Sequence, residues 1–200
     1  LYEIKAGGLS IPVTLSYHYN GLKPKDEAGW AGLGWNLNAG GVITRMQRGY
    51  PDGSRNPGKN FDDINPYDSA MSTANNRHKY FFGATYFDQA YDTEPDIFIY
   101  NFMGHSGKFV LIKGVPYFMN YERMAVTKFT DESGFLITDE NGISFEFKAV
   151  ERTRPFKGSD VYMQNPDGYI TAWQLTKVVS PDTKSWITCY YTDYSYIESG

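Results

Sequence analysis

The residues of this chain that could do chemistry are few and scattered. His18, His78 and His105 are the only histidines. No HxH, HExxH or GxSxG pattern accompanies them, so neither a zinc site nor a nucleophile elbow is signalled. His18 falls on the polar face of a strand-like run, His78 in an irregular stretch, and His105 in the turn-like Gly104-His-Ser-Gly107. Ser106 beside His105 makes no dyad, because sequence neighbours in a turn seldom point at one another. A catalytic role would require His18 or His105 to sit in a cleft beside acids such as Asp92 or Asp96. The densest acidic feature is Asp92-Thr-Glu-Pro-Asp96, with Asp62-Asp63 upstream. Such carboxylates can share a hard cation such as calcium. No EF-hand loop surrounds them, however, and Pro95 before an apolar run reads as the start of a strand, so a solvated turn is expected. Cys189 is the only cysteine; it excludes an internal disulfide and a thiolate metal site, and reads as a small buried hydrophobe. The expectation is no catalytic residue, no metal and no cofactor.

Glycine and tryptophan supply the remaining candidates. Gly32-Leu-Gly34 and Gly40-Gly41 superficially look like phosphate cradles, but a dinucleotide fingerprint opens a helix after a strand, and here a strand follows. These glycines are expected to permit positive φ and close approach of aromatic rings to backbone. Surface aromatics on a β domain can stack on sugars. Trp30, in a loop, and Trp35 are the ligand-binding candidates, whereas Trp173 and Trp186 lie within strands and are expected in the core.

The elements that must position these residues are strands. Aromatics make up 17% of the chain, with 17 Tyr and 13 Phe, and 20 glycines and 10 prolines provide frequent turns; this is the palette of an all-β protein. Ile11, Val13, Leu15, Tyr17 and Tyr19 alternate with Thr14, Ser16 and His18, which predicts a half-buried strand. Pro12 points to an edge strand or a strand start. Trp35 to Arg48 is extended, with Gly40-Gly41 as a bulge or tight hairpin. Residues 50 to 90 form an irregular insertion with room for a short helix. Beyond it, 96–102, 108–113, 116–119, 135–138, 143–147, 169–179 and 186–191 read as strands. Gly-His-Ser-Gly, Asp-Glu-Asn-Gly and Ser-Pro-Asp-Thr are the turns of three successive hairpins. The expected architecture is a single domain over 1–200, either an antiparallel sandwich or a curved open sheet.

Lys and Arg total 19 against 23 for Asp and Glu, a formal charge of −4. Without a basic cluster this argues against nucleic acid and against an anionic membrane surface, and no apolar run is long enough for a membrane span. The chain opens at Leu1 without Met or a leader, so it is expected to be a segment of a longer protein.

The run Leu15-Ser-Tyr-His-Tyr-Asn-Gly, then Gly32-Leu-Gly-Trp-Asn-Leu-Asn-Ala-Gly-Gly-Val-Ile-Thr-Arg45, resembles the opening of amino-terminal domains of RHS/YD-repeat proteins. It is also similar to the virulence-plasmid B-type domain of toxin-complex proteins, and looks most like the version in large secreted Bacteroidetes proteins. Tyr91-Asp-Thr-Glu-Pro-Asp-Ile-Phe98, Asn101-Phe-Met-Gly-His-Ser-Gly-Lys-Phe109 and Trp173-Gln-Leu-Thr-Lys177 resemble later landmarks. Tyr190-Tyr-Thr-Asp-Tyr194 marks where repeats would begin. The resemblance implies a non-catalytic structural or interaction module of a secreted or cell-surface protein. Gly32, Gly34, Trp35, Gly40, Gly41 and Arg45 would form its structural motif. Its partner would be the downstream YD-repeat region, another protein or a glycan. A carbohydrate-binding module is the alternative.

Overall fold

The computed structural model describes residues 1–17, 32–48, 51–52, 95–130, 133–154 and 168–192. Trp30, His18, His78, Tyr19, Asp62, Asp63, Asp92 and nearly all of the 50–90 insertion, with its expected helix, lie outside them. The described residues are all β, with no helix.

Tyr2–Ala6 (β1) and Leu9–Tyr17 (β2) form a hairpin around Gly7-Gly8, whose φ values are 52° and 86°. β1 is additional to the strands expected from sequence. Its signal is the alternation of Tyr2, Ile4 and Ala6 with Glu3 and Lys5, closed by a Gly-Gly turn that tolerates positive φ. Trp35–Ala39 (β3) pairs with the other side of β2, giving the order β1-β2-β3. Pro12 is therefore in a middle strand rather than an edge strand. β3 pairs only with Val13 to Tyr17, so at Pro12 the ladder has a partner on one side only, which a residue lacking N–H tolerates.

Gly40 and Gly41 make neither a hairpin nor a bulge within one sheet. They are a corner. The chain leaves the small sheet at Ala39, passes Gly40 with φ 100°, and enters a second sheet as Gly41–Met46 (β4). Positive φ requires glycine at the first position. The second is demanded by space, since a Cβ on Gly41 would lie 2.2 Å from Phe102 Cβ.

The second sheet contains Ile97–Phe102 (β5), His105–Ile112 (β6), Val115–Phe118 (β7), Ala125–Lys128 (β8), Phe135–Thr138 (β9), Ser144–Thr153 (β10), Tyr169–Val179 (β11) and Trp186–Thr188 (β12). Its order is β7-β6-β5-β4-β11-β10-β9-β8, and the two end strands approach each other, so the curved sheet is a nearly closed barrel. β10 takes one side of β11 along its length; β4 and β12 share the other, at Ala172–Gln174 and Lys177–Val179. The turn expected at Gly104-His-Ser-Gly107 is tighter: Met103 and Gly104 make it, both at positive φ, and His105 to Gly107 already belong to β6. At the next hairpin Asp139 Oδ1 accepts from the N–H groups of Asn141 and Ile143, and Gly142 takes φ 78°. This is the Asx chemistry that an Asp-x-Asn-Gly sequence provides.

Inward residues of every barrel strand build an aromatic core containing Phe98, Tyr100, Phe102, Phe109, Phe135, Phe145, Phe147 and Trp173. The register places Gly41, Phe102, His105 and Val178 at one end of the barrel, and Arg45, Ile97, Arg152 and Ile170 at the other. Leu9 and Ile11 of the small sheet join the same core, so that sheet lies over the Gly41 end.

Candidate interaction surface

Pairing across β1, β2 and β3 puts Tyr2 with Val13, Ile4 with Ile11, Ala6 with Leu9, Leu15 with Leu37 and Tyr17 with Trp35. Paired residues share a face. One face of the small sheet is thus entirely apolar and aromatic, while Glu3, Lys5, Ser10, Pro12, Thr14 and Ser16 occupy the other. The apolar face divides into two zones. Leu9 and Ile11 are buried over the barrel. Beyond them Leu15 is 38% exposed, Tyr17 52%, Trp35 46%, Leu37 51% and Tyr2 71%. The strand expected to be half-buried is covered along its first half only, because the sheet extends past the barrel end.

Trp35 and Tyr17 pack ring to ring with centroids 5.1 Å apart and planes tilted 45°. The Trp35 N–H donates to the Gly32 carbonyl across a tight turn, in which Gly32 and Gly34 take φ values of 106° and 74°. That turn seats the indole at the end of β3. Of the two tryptophans singled out from sequence, the structure places Trp35 on this face, and Trp30 lies outside the described residues. Leu15, Tyr17 and Leu37, which share the surface, were not singled out. Their alternation is legible, but exposure depends on where the barrel stops.

Arg45 has a different position. It is partly buried at the far end of β4, and its Nε donates to Asp96 Oδ2 at 2.6 Å, its Nη2 to the Asp52 carbonyl at 2.6 Å. Asp96 is fully buried. It also accepts from Arg48 N–H at 2.8 Å and Asp52 N–H at 2.9 Å, and its own N–H donates to Asp52 Oδ2 at 2.8 Å. Asp96, expected in a solvated turn, is instead part of a buried ion pair, while Asp92 and Glu94 lie outside the described residues. Pro95 does precede the strand, but the carboxylate turns inward to meet Arg45. Both oxygens already receive donors, which leaves this carboxylate poorly suited to a cation. Among the described residues no group of three metal-ligating side chains occurs.

The remaining expectations are met in part. His105 packs on Phe102 at 5.2 Å at the Gly41 end, whereas Asp96 lies beyond the other end of β5, on the order of 20 Å away at strand rise. These two cannot form a catalytic pair. Trp173 is in the core as expected, but Trp186 is 57% exposed: β12 is a short edge strand whose Ile187 turns inward, leaving Trp186 beneath the Lys177 ammonium at 6.0 Å. Cys189 is only half-buried and follows β12 rather than lying within it; burial pushes its thiol up. Burial, with the Cys189 charge as a lesser cause, pushes the Tyr191 phenol up to about 12; its hydroxyl donates to the Leu175 carbonyl beside Gly40. No helix long and apolar enough to cross a membrane occurs among the described residues. Comparison with family models, curated proteins and solved structures finds no match.

Proposed function

We propose that this domain is a non-catalytic structural or interaction module of a larger RHS/YD-repeat-like secreted or cell-surface protein, docking downstream β repeats through the small sheet. The observation that carries this reading is the two-zone apolar face. Its inner half already packs on a β barrel, and its outer half presents Leu15, Tyr17, Trp35 and Leu37 with no charged side chain among them. Contiguous exposed apolar surface of this kind suits a protein partner. A β-rich partner is favoured because it can also pair with the outer edges of β1 and β3, which have no further strand beside them among the described residues. The motif from Gly32 to Arg45 supports the family reading, since the same run forms the turn under Trp35, the corner at Gly40-Gly41 and the Arg45 anchor.

The Trp35–Tyr17 pair keeps the carbohydrate alternative in view, as exposed rings can stack on sugars. Leucines flanking the pair supply no hydrogen-bond donors, which favours protein over glycan. The test is calorimetric titration of the domain with the separately produced repeat region. Binding is expected, with a loss of at least tenfold in the Trp35→Ser/Leu37→Ser variant at unchanged melting temperature, as for anchor residues of an interface. Absence of binding, or full binding by the variant, contradicts the reading. Binding to polysaccharide that Trp35→Ser abolishes would favour the alternative.

A further inference from the structure

The outer edge of β1 carries a pattern that a second copy of the chain can match. Ala6 and Leu9 close the two-residue Gly7-Gly8 turn, so this pair exchanges ladder hydrogen bonds. By alternation so do Ile4 with Ile11 and Tyr2 with Val13. Pro12, opposite Glu3, then turns its nitrogen away from β1, a position that tolerates the missing N–H. Glu3 and Lys5 are left with their backbone N–H and C=O groups directed outward. Tyr2, Glu3, Ile4 and Lys5 are all exposed, and no further strand lies beside β1 on this side among the described residues.

Charged side chains normally discourage pairing at a free edge, but the spacing of Glu3 and Lys5 makes this edge complementary to itself. In an antiparallel pair about a two-fold axis at Ile4, Glu3 of one copy stands opposite Lys5 of the other, and Ile4 opposite Ile4. The Glu3–Lys5 pairs then fall where outward backbone groups can exchange hydrogen bonds. Ile4 falls at the non-hydrogen-bonded position between them. Glu3 contacts its own Lys5 at 2.8 Å, so the four side chains alternate in sign around the axis on the polar face. On the other face the row Ile11-Ile4 continues into Ile4-Ile11 of the second copy. The next registers that keep the hydrogen-bonding phase set Glu3 against Glu3 or Lys5 against Lys5, and like charges directly opposite are destabilising. We infer that two copies of this chain associate through β1, joining their three-stranded sheets into one antiparallel sheet with a two-fold axis. Five residues a side make a small contact, so the dimer is reversible. The inference does not depend on the docking role, because Leu15, Tyr17, Trp35 and Leu37 lie on β2 and β3.

Sedimentation equilibrium of the intact chain tests the association, and exchange of charges tests the register. A monomer–dimer equilibrium is expected, weakening as salt is raised. Glu3→Lys and Lys5→Glu should each weaken it roughly tenfold, since like charges then face each other twice across the axis. Combining the two substitutions should restore it, with opposite signs again paired. A disulfide reads the axis itself. At a non-hydrogen-bonded pair the Cα atoms are about 4.5 Å apart, within disulfide reach. In a Cys189→Ser background, Ile4→Cys should give a covalent dimer in oxidised glutathione, whereas Tyr2→Cys, which faces Ala6, should not. A chain that stays monomeric up to its solubility limit, indifference to both charge variants, or equal crosslinking at the two positions would overturn the proposal. So would a dimer that Trp35→Ser/Leu37→Ser abolishes and Glu3→Lys leaves intact, because the copies would then meet through the apolar face.

Discussion

At the scale of single residues, the Arg45–Asp96 pair carries the sharpest consequence. Asp96 is fully buried and holds Arg45 together with two backbone N–H groups. Removing one partner of such a pair strands the other charge in the interior, which typically costs about 3–5 kcal/mol. Asp96→Ala should therefore lower the free energy of unfolding by roughly that amount, read from denaturant midpoints; a change within about 0.5 kcal/mol, as at an ordinary surface site, would show that the pair is dispensable. Two tyrosines predict the alkaline limit. Burial, and secondarily the nearby Glu122 charge, push the Tyr100 phenol up to about 12, and Tyr191 is likewise pushed up to about 12. Glu122 acts on Tyr100 through charge, since that hydroxyl has no hydrogen-bond partner. A folded pKa raised above the unfolded value near 10 means that the associated stability is fully present below about pH 10. It is lost as pH rises through 12. Burial also raises the Tyr169 phenol, so tyrosinate absorbance should show at least three late-titrating groups, and melting temperature should fall across the same window. Normal titration of all the tyrosines would refute the assigned burial. Sequence alone marked Arg45, and it marked Asp96 as an acid at a strand start. It could not reveal that the two meet, since nothing local encodes a contact across the 50–90 insertion.

Among the elements, the corner between β3 and β4 does most to shape the molecule. Gly40 supplies the positive φ, and Gly41 lets the chain pass against Phe102. Gly41→Ala must push β4 away from β5, so a loss of about 1–3 kcal/mol is expected, as for overpacked sites. Gly104→Ala offers a contrast. No atom lies near its would-be Cβ, so only the backbone preference opposes it, at about 1 kcal/mol or somewhat more. Equilibrium unfolding of both variants checks the ranking; a larger loss at Gly104 than at Gly41 would contradict it. Hairpins with local turn chemistry were legible, including the Asp139–Gly142 turn and the joint between β11 and β12. The corner was legible as a glycine feature but not as a change of sheet. A bulge, a hairpin and a corner share one sequence signal and differ only in what the strand meets afterwards.

For the whole molecule, alternation and turn spacing were enough to specify all-β antiparallel architecture. Closure was not legible. The barrel depends on β4 inserting between β5 and β11, and on β7 approaching β8, and such pairings between distant segments are selected by packing rather than by local pattern. The same distinction governs the candidate surface. Trp35 was recognisable as a ligand candidate, yet the face it shares with Leu15, Tyr17 and Leu37 emerges only because the small sheet overruns the barrel it covers. Its buried inner half and exposed outer half together form the basis of the proposed docking role. Hydroxyl-radical footprinting tests that role most directly, by comparing this chain alone with a longer protein in which the proposed repeat region follows it. Tyr17, Trp35 and Leu37 should be labelled readily in the isolated chain and protected in the longer protein, while exposed Trp186 and Tyr121 are labelled in both; equal labelling of Trp35 and Tyr17 in the two would contradict the account.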